Sequence, residues 1–259
     1  MIPTDKSGAT RTAMANDSDD AIRALYPEGS YELVRHDLTR RTLAQRLVRS
    51  KTTVPHFYIS ADCDIGNLLA LRSNLNQAAQ DSADPLKLSV TDFMIKALAL
   101  GLQQVPAANV TWTEAAMLHH QASDVGVAVA IPGGLVAPVL RNAEAKSVQQ
   151  IAREMRDLAA RAQNKRLKPE EYQGGSTTVS NLGAYGVRQA LSIVIPPQAT
   201  ILAIGAGEDR VVARNKRVEI AKMVTASLSC DHRAMDGMTG AALLAAFRSM
   251  IEQPDILAG

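Results

Sequence analysis

The stretch that decides how this chain is interpreted runs from Ser229 to Gly237 and reads SCDHRAMDG. The residues before it, from Lys222 onward, predict a strand, whereas Met238 to Ile251 after it predict a helix. The stretch therefore sets a histidine, His232, where a strand gives way to a loop. A histidine there is held firmly yet stays reachable. Because an imidazole titrates near neutral pH, the position suits proton transfer.

His232 also has less specific interpretations. An isolated histidine is more often structural than catalytic, but Arg233 and Asp236 lie in the same short loop, and either could orient the imidazole. Cys230 and His232 would point to the same face of a strand, which leaves a Cys–His nucleophile pair as an alternative. Since cysteine is among the most buried residue types, packing is the favoured role for Cys230.

The composition is that of a globular protein, with 46% hydrophobic and 21% charged residues among 259. The net charge of +2 argues against nucleic acid as a partner. We expect neither a signal peptide nor a membrane helix, because the first residues are polar and no apolar run nears roughly 20 residues. Cys63 and Cys230 are then expected to be free thiols in a reducing compartment.

Two parts are distinguished along the chain. Residues 1–25 are rich in small polar and charged side chains and predict a flexible tail or linker remnant, and residues 26–259 predict one domain. Helices are predicted over residues 39–49, 65–80 and 238–251, and two more follow the N-caps Thr91 and Ser147. The helix after Thr91 carries an apolar stripe of Phe93, Met94, Ala97, Leu98 and Leu102. Strands are predicted over residues 57–61, 124–131, 135–140, 177–180, 201–205 and 222–229.

The order of these elements predicts the fold class. Pro132-Gly133-Gly134 is typical of a hairpin turn between two of the strands. Helices and strands mix without the regular alternation of a doubly wound sheet. We therefore predict an α/β fold, a two-layer sandwich of a mixed β-sheet with packed helices.

Three further patterns concern possible sites. Residues 174–186 predict a strand between two glycine-rich turns. A phosphate-binding loop is the alternative, and turns are favoured because no phosphate-binding glycine motif is present. Ser180, at the end of that strand, could donate a hydrogen bond to an oxyanion. His119 and His120 diverge in any regular structure and do not predict a metal site. On its own terms, Arg40-Arg41 is a solvated helix face.

Taken together, the segments resemble the dihydrolipoyl acyltransferases of the 2-oxoacid dehydrogenase complexes. The loop from Ser229 to Gly237 matches the DHRxxDG signature of that family. Other segments look like family segments as well, namely residues 50–57, 105–110, 132–143, 180–183 and 195–205. The resemblance covers about residues 26–259, which would form the acyltransferase catalytic core domain. It implies the fold of chloramphenicol acetyltransferase, a coenzyme A-dependent acyltransferase.

The resemblance also implies roles for individual residues. His232 would be the general base that takes the proton from the thiol of coenzyme A, and Ser180 would stabilise the tetrahedral oxyanion. Asp236, also expected in the catalytic site, would pair with Arg40 and so support the active-site loop. Neither a covalent acyl-enzyme nor a metal would be required, and the residues that contact coenzyme A are not identified.

The resemblance extends to substrates and partners. Residues 26–34 and 228–233 favour the acetyltransferase branch of the pyruvate dehydrogenase complex, with a succinyl or branched-chain acyltransferase, an antibiotic-modifying transferase or a non-catalytic scaffold as alternatives. A homotrimer building a larger cubic or icosahedral core is implied, with active sites between subunits. Lipoyl domains and the dehydrogenase components would be its partners, and the lipoyl group would be carried on a separate domain or protein. A bacterial cytoplasm is preferred to the mitochondrial matrix.

Overall fold

The computed structural model describes residues 19–80 and 86–258, and the chain divides into two compact units, residues 1–37 and 38–259. In the first unit, helix α1 (Asp19–Arg23) begins with two aspartates and ends with Arg23. This order of charges suits the helix dipole. The predicted tail falls largely on residues 1–18, which lie outside the described residues. The helix α1 was not predicted, and the division at residue 25 stays a prediction.

The second unit is built on a seven-stranded sheet. The strands Val125–Val127, Thr177–Asn181 and Thr200–Ile204 run parallel to one another, and the remaining pairs are antiparallel, so the sheet is mixed as predicted. The strands, in order across the sheet, are β1 (His56–Asp64), β11 (Arg217–Asp231), β9 (Thr200–Ile204), β8 (Thr177–Asn181), β4 (Val125–Val127) and β7 (Val139–Leu140), with β10 (Glu208–Arg214) paired to β11.

Two small sheets and five helices complete this unit in the described part of the chain. The small sheets pair β2 (Val110–Trp112) with β3 (Met117–His119) and β5 (Val129–Ile131) with β6 (Gly134–Val136). The helices are α2 (Leu38–Thr53), α3 (Gly66–Ala78), α4 (Val90–Gln104), α5 (Val148–Gln163) and α6 (Gly237–Glu252). Among the described residues, every helix falls short of the length and apolar content needed to cross a membrane.

Helix α4 lies at the centre of the core. The apolar stripe predicted for it is fully buried, as Phe93, Met94 and Leu98 show. At Gly101 the helix approaches α6 so closely that a Cβ would lie 3.4 Å from the Leu243 side chain and 3.7 Å from the Phe247 amide nitrogen. Burying each large apolar side chain stabilises the fold by roughly 1.5–3 kcal/mol. The predicted α/β fold with helices packed on a mixed sheet is confirmed.

The one lysine of that helix, Lys96, is buried with its apolar stripe. Its Nζ donates hydrogen bonds to the carbonyl oxygens of Glu144 and Lys146, at 2.7 and 2.6 Å. Burial lowers the pKa of Lys96. The two carbonyl partners satisfy the ammonium group, so the lysine fixes the turn before α5 instead of interrupting the core.

Two predicted strands are divided in the structure, and one helix begins at a different cap. The predicted strand over residues 124–131 is divided between β4 and β5, and the one over residues 135–140 between β6 and β7. Pro138 lies at the second break, where it has no N–H to give to a ladder. The cap of α4 is Ser89 and not Thr91, since the Ser89 hydroxyl accepts from the Asp92 amide at 3.3 Å and the Asp92 carboxylate accepts from the Ser89 amide at 2.7 Å.

One hairpin of this unit was predicted from the sequence and another was missed. The β5–β6 hairpin turns at Pro132-Gly133 as predicted, with φ of 85° at Gly133. The β10–β11 hairpin was missed, and β11 begins at Arg217 instead of Lys222. Its turn residues Asn215 and Lys216 both have positive φ, 48° and 62°, which is the backbone of a type I′ hairpin without glycine.

Candidate active site

The loop that carries His232 begins where β11 ends. The Asp231 amide donates to the Ala199 carbonyl at 2.9 Å, which ties the end of the strand to the rest of the sheet. The Asp231 carbonyl then accepts from the amides of Ala234 and Met235, at 3.0 and 3.1 Å. The chain thus turns tightly around His232 before α6 begins at Gly237.

The His232 side chain is exposed at the outside of this turn. Its amide donates to the Pro55 carbonyl at 3.0 Å, and its ring lies 4.8 Å from the Phe57 ring between centroids, at a tilt of 58°. These contacts come from the residues that open β1. The hydrogen bonds that hold this turn are made by its backbone, and the imidazole itself is exposed. An exposed imidazole held by its backbone and by one ring face is suited to exchange a proton with a bound substrate.

Asp236 closes the loop as the N-cap of α6. Its Oδ1 accepts from the Thr239 amide at 2.8 Å. Hydrogen bonds from Thr239 hold the pKa of Asp236 below its usual range, and the charge of nearby His232 acts in the same direction. Arg40 lies in the first turn of α2. The partner that the structure gives Asp236 is Thr239, and the expected pairing with Arg40 stays a prediction.

An ion pair in the loop was missed from the sequence. The Arg233 Nε donates to the Asp231 Oδ1 at 3.0 Å, and Arg233 Nη2 donates to Oδ2 at 2.8 Å. These hydrogen bonds raise the pKa of Arg233. The guanidinium carbon also lies 5.7 Å from the centre of a Trp112 ring. The adjacent Asp231, His232 and Arg233 in the sequence could have indicated this ion pair. However, side chains two residues apart can form such a two-point contact only where the chain bends between them.

Ser180 lies in β8, away from this loop. The strand register pairs Ser180 with Ala203, and Ala203 with Ser227, five residues before His232. At about 3.3 Å per residue and 4.8 Å per strand, Ser180 and His232 lie roughly 15–20 Å apart. Within one chain the structure therefore does not bring the two predicted site residues together.

The remaining candidates are not part of the site. Cys63 and Cys230 are free and buried, and burial raises the pKa of each thiol to about 12. A thiol with this pKa is a poor nucleophile, which agrees with packing as the role of Cys230. The His120 ring shares a hydrogen bond of 2.9 Å with the Thr111 hydroxyl. Within residues 19–80 and 86–258, no cluster of three or more acidic, histidine or cysteine side chains could hold a metal ion.

The chain is similar in sequence to a known protein family and to named relatives. The family described as "2-oxoacid dehydrogenases acyltransferase (catalytic domain)" matches residues 28–258. The dihydrolipoyllysine-residue acetyltransferase component of the pyruvate dehydrogenase complex of Rhizobium meliloti is 57% identical over 239 residues, which are 92% of this chain and 54% of that protein. The chain therefore spans about half the length of the curated relatives it matches.

Two solved structures resemble the fold. The dihydrolipoamide acetyltransferase of Azotobacter vinelandii has a TM-score of 0.84 at 29% identity, covering 88% of this chain and 94% of its own. That structure was reported in a study of a serine, a histidine and an asparagine in its catalytic mechanism. The cubic core of a pyruvate dehydrogenase multienzyme complex has a TM-score of 0.84 at 30% identity, covering 89% and 95% of the two chains.

Proposed function

The chain belongs to the 2-oxoacid dehydrogenase acyltransferase family, and from that membership we propose that it moves an acetyl group between dihydrolipoamide and coenzyme A. The identity of 57% to an acetyltransferase component of a pyruvate dehydrogenase complex carries the proposal. The same relative supports a bacterial cytoplasm as its compartment.

The proposed chemistry begins with His232. An imidazole nitrogen takes the proton from the thiol of coenzyme A, which ionises on its own only near pH 8.5. The thiolate attacks the carbonyl of acetyl-dihydrolipoamide and forms a tetrahedral oxyanion. When the carbon–sulfur bond to dihydrolipoamide breaks, the departing thiolate recovers the proton from His232. Acetyl-CoA and dihydrolipoamide are the products, and the reverse direction uses the same steps.

Ser180 is the proposed donor to the oxyanion, and losing one such donor costs on the order of 10²-fold in rate. The spacing of the residues supports the assignment. In the Azotobacter enzyme the studied serine precedes the histidine by 52 positions, and the asparagine follows it by four. Here Ser180 precedes His232 by 52 positions and Asp236 follows it by four. An aspartate therefore stands here at the position of the asparagine.

The distance between Ser180 and His232 within one chain supports a site shared between copies. Ser180 of one subunit would meet His232 of another, as in a homotrimer with its active sites at the subunit interfaces. The likeness to a cubic core supports the further assembly of such trimers into a larger core. Lipoyl domains, carrying the lipoyl group as substrate, and the dehydrogenase components are the proposed partners.

The test uses the purified chain with acetyl-CoA and dihydrolipoamide. We expect His232→Ala to lower kcat by at least about 10³-fold while the mass of the assembly in solution is unchanged. His119→Ala removes another exposed histidine and should leave kcat unchanged. Activity retained by His232→Ala would contradict the mechanism. Faster transfer from succinyl or branched acyl donors than from acetyl-CoA would move the chain to another branch of the family.

A further inference from the structure

The loop that carries His232 is flanked by an ion pair whose partners stand on either side of the histidine. The Asp231 side chain is 5% exposed and that of Arg233 is 30% exposed. Both carboxylate oxygens are engaged by the guanidinium, in the two-point geometry that gives arginine–carboxylate pairs their directional strength. The pair therefore fixes relative positions and does not merely balance charge.

The other polar groups of Asp231 are engaged too. Its Oδ1 accepts from the Arg233 amide at 3.0 Å, in addition to the bonds that its amide and carbonyl make with Ala199, Ala234 and Met235. The backbone on both sides of His232 is consequently tied to one residue. A shift of Asp231 would move the base that follows it directly in the chain.

Arg233 extends this support to a separate element. Its guanidinium lies over the indole of Trp112 in β2, a strand outside the main sheet. A cation within about 6 Å of the face of an aromatic ring is attracted by the electrons of the ring. Arg233 thus joins the end of β11 to the β2–β3 sheet across the base of the loop.

We propose that Arg233 is a positioning residue for acyl transfer, which holds His232 in its reactive orientation through Asp231 and Trp112. The inference rests on the proposed role of His232 as the base. Arginine is required because lysine would keep the charge but lose the two-point contact with the carboxylate. A displacement of about 1 Å in a reacting group lowers the rate by on the order of 10²-fold.

The experiment compares Arg233→Lys with the wild type and with a matched control, Arg161→Lys. Arg161 is also 30% exposed and contacts two carboxylates, Asp157 at 2.7 Å and Glu171 at 2.6 Å, but lies in α5. We measure kcat and KM for acetyl-CoA and dihydrolipoamide, the Tm, and the rate at which diethyl pyrocarbonate modifies His232, followed by peptide mass spectrometry.

For Arg233→Lys we expect kcat to fall by about 10- to 100-fold with KM within about threefold of wild type. The modification rate of His232 should rise by at least about threefold, while the Tm matches that of Arg161→Lys. The control should keep wild-type kcat and the wild-type modification rate. Wild-type kcat and an unchanged modification rate in Arg233→Lys would overturn the proposal.

A double variant, Asp231→Asn with Arg233→Met, removes both charges. It tests whether Arg233 positions His232 if Arg233→Lys does not fold. Positioning predicts a low kcat in this folded variant, whereas wild-type kcat would mean that Arg233 only neutralises a buried carboxylate. If the wild type transfers no acetyl group, the proposed function fails by itself. The modification rate of His232 then still decides whether Arg233 holds the ring.

Discussion

Strand β11 has two ends that differ in their surroundings. From Met223 to Asp231 every residue is buried, and from Ala226 to Cys230 the strand lies between β1 and β9. From Arg217 to Ile220 every residue is exposed, and the partner is β10. One end delivers a histidine to a tightly bonded loop, and the other projects as a hairpin.

The two ends share the alternating pattern of one strand but differ in what covers them. Val218 and Ile220 point to the same side of the strand as Leu228 and Cys230, because side chains alternate. Yet Val218 and Ile220 are 78% and 76% exposed, whereas Leu228 and Cys230 are fully buried beneath helices. The end of β11 that leads to His232 therefore differs from the hairpin end in its cover and not in the pattern of the strand.

The largest contrast should appear in thiol chemistry. Cys230 is buried with its pKa raised to about 12, so a thiol reagent reaches it only when the fold opens. In Val218→Cys the new thiol is exposed and should react at least about 10³ times faster than Cys230. Peptide mass spectrometry after timed labelling with a maleimide measures both rates in one sample. Comparable rates would mean that the buried end opens as readily as the hairpin.

Shortening one side chain at each end of β11 should change the free energy of unfolding by different amounts. Leu228→Ala empties a fully buried position and should lower the free energy of unfolding by about 2–5 kcal/mol. Ile220→Ala, on the same side of the same strand, should change it by less than about 0.5 kcal/mol. Denaturant unfolding of the two variants gives the comparison. A large loss for Ile220→Ala would show that another surface covers the hairpin in solution.

The Asp236 cap, which follows the buried end of β11, should make the stability of the fold depend on pH. Because its folded pKa lies below the usual value of 3.8, its contribution is present above that value and is lost as the pH falls through the lowered pKa. Asp236→Ala should therefore lower the Tm near neutral pH, and this difference should shrink towards zero below pH 3.8. Thermal unfolding from pH 3 to 7 measures it, with Asp255→Asn as an exposed control. A difference that is constant with pH would exclude the charge as its cause.

The sequence was most reliable where packing follows local periodicity. The stripe of α4 was predicted from its apolar residues alone, and every member is buried. The cap was misassigned because Ser89 and Thr91 are both good caps, and only the reciprocal bond with Asp92 selects Ser89. The hairpin at Asn215 was missed because its turn contains no glycine.

In the candidate site, too, some residues could be predicted from local sequence and other relations could not. His232 and Asp236 could be found from the sequence because they share one loop, and the exposure of His232 agrees with its proposed role. The fork between Asp231 and Arg233 depends on the bend between them, and the separation of Ser180 from His232 depends on the register of three strands. Such relations follow from tertiary pairing, which local patterns do not encode.

The smallest effect is expected at the hairpin tip. Lys216 has φ of 62°, a conformation that glycine adopts at little cost and other residues adopt with strain. Lys216→Gly also completes Asn-Gly, the favoured pair for a type I′ turn, and should raise the free energy of unfolding by up to about 1 kcal/mol. Lys216→Ala removes the same charge without relieving the backbone and serves as the control. Since the tip lies at the opposite end of β11 from His232, kcat should be unchanged in both variants. A changed kcat would mean that the exposed end is coupled to the buried end, and the two could no longer be treated as independent.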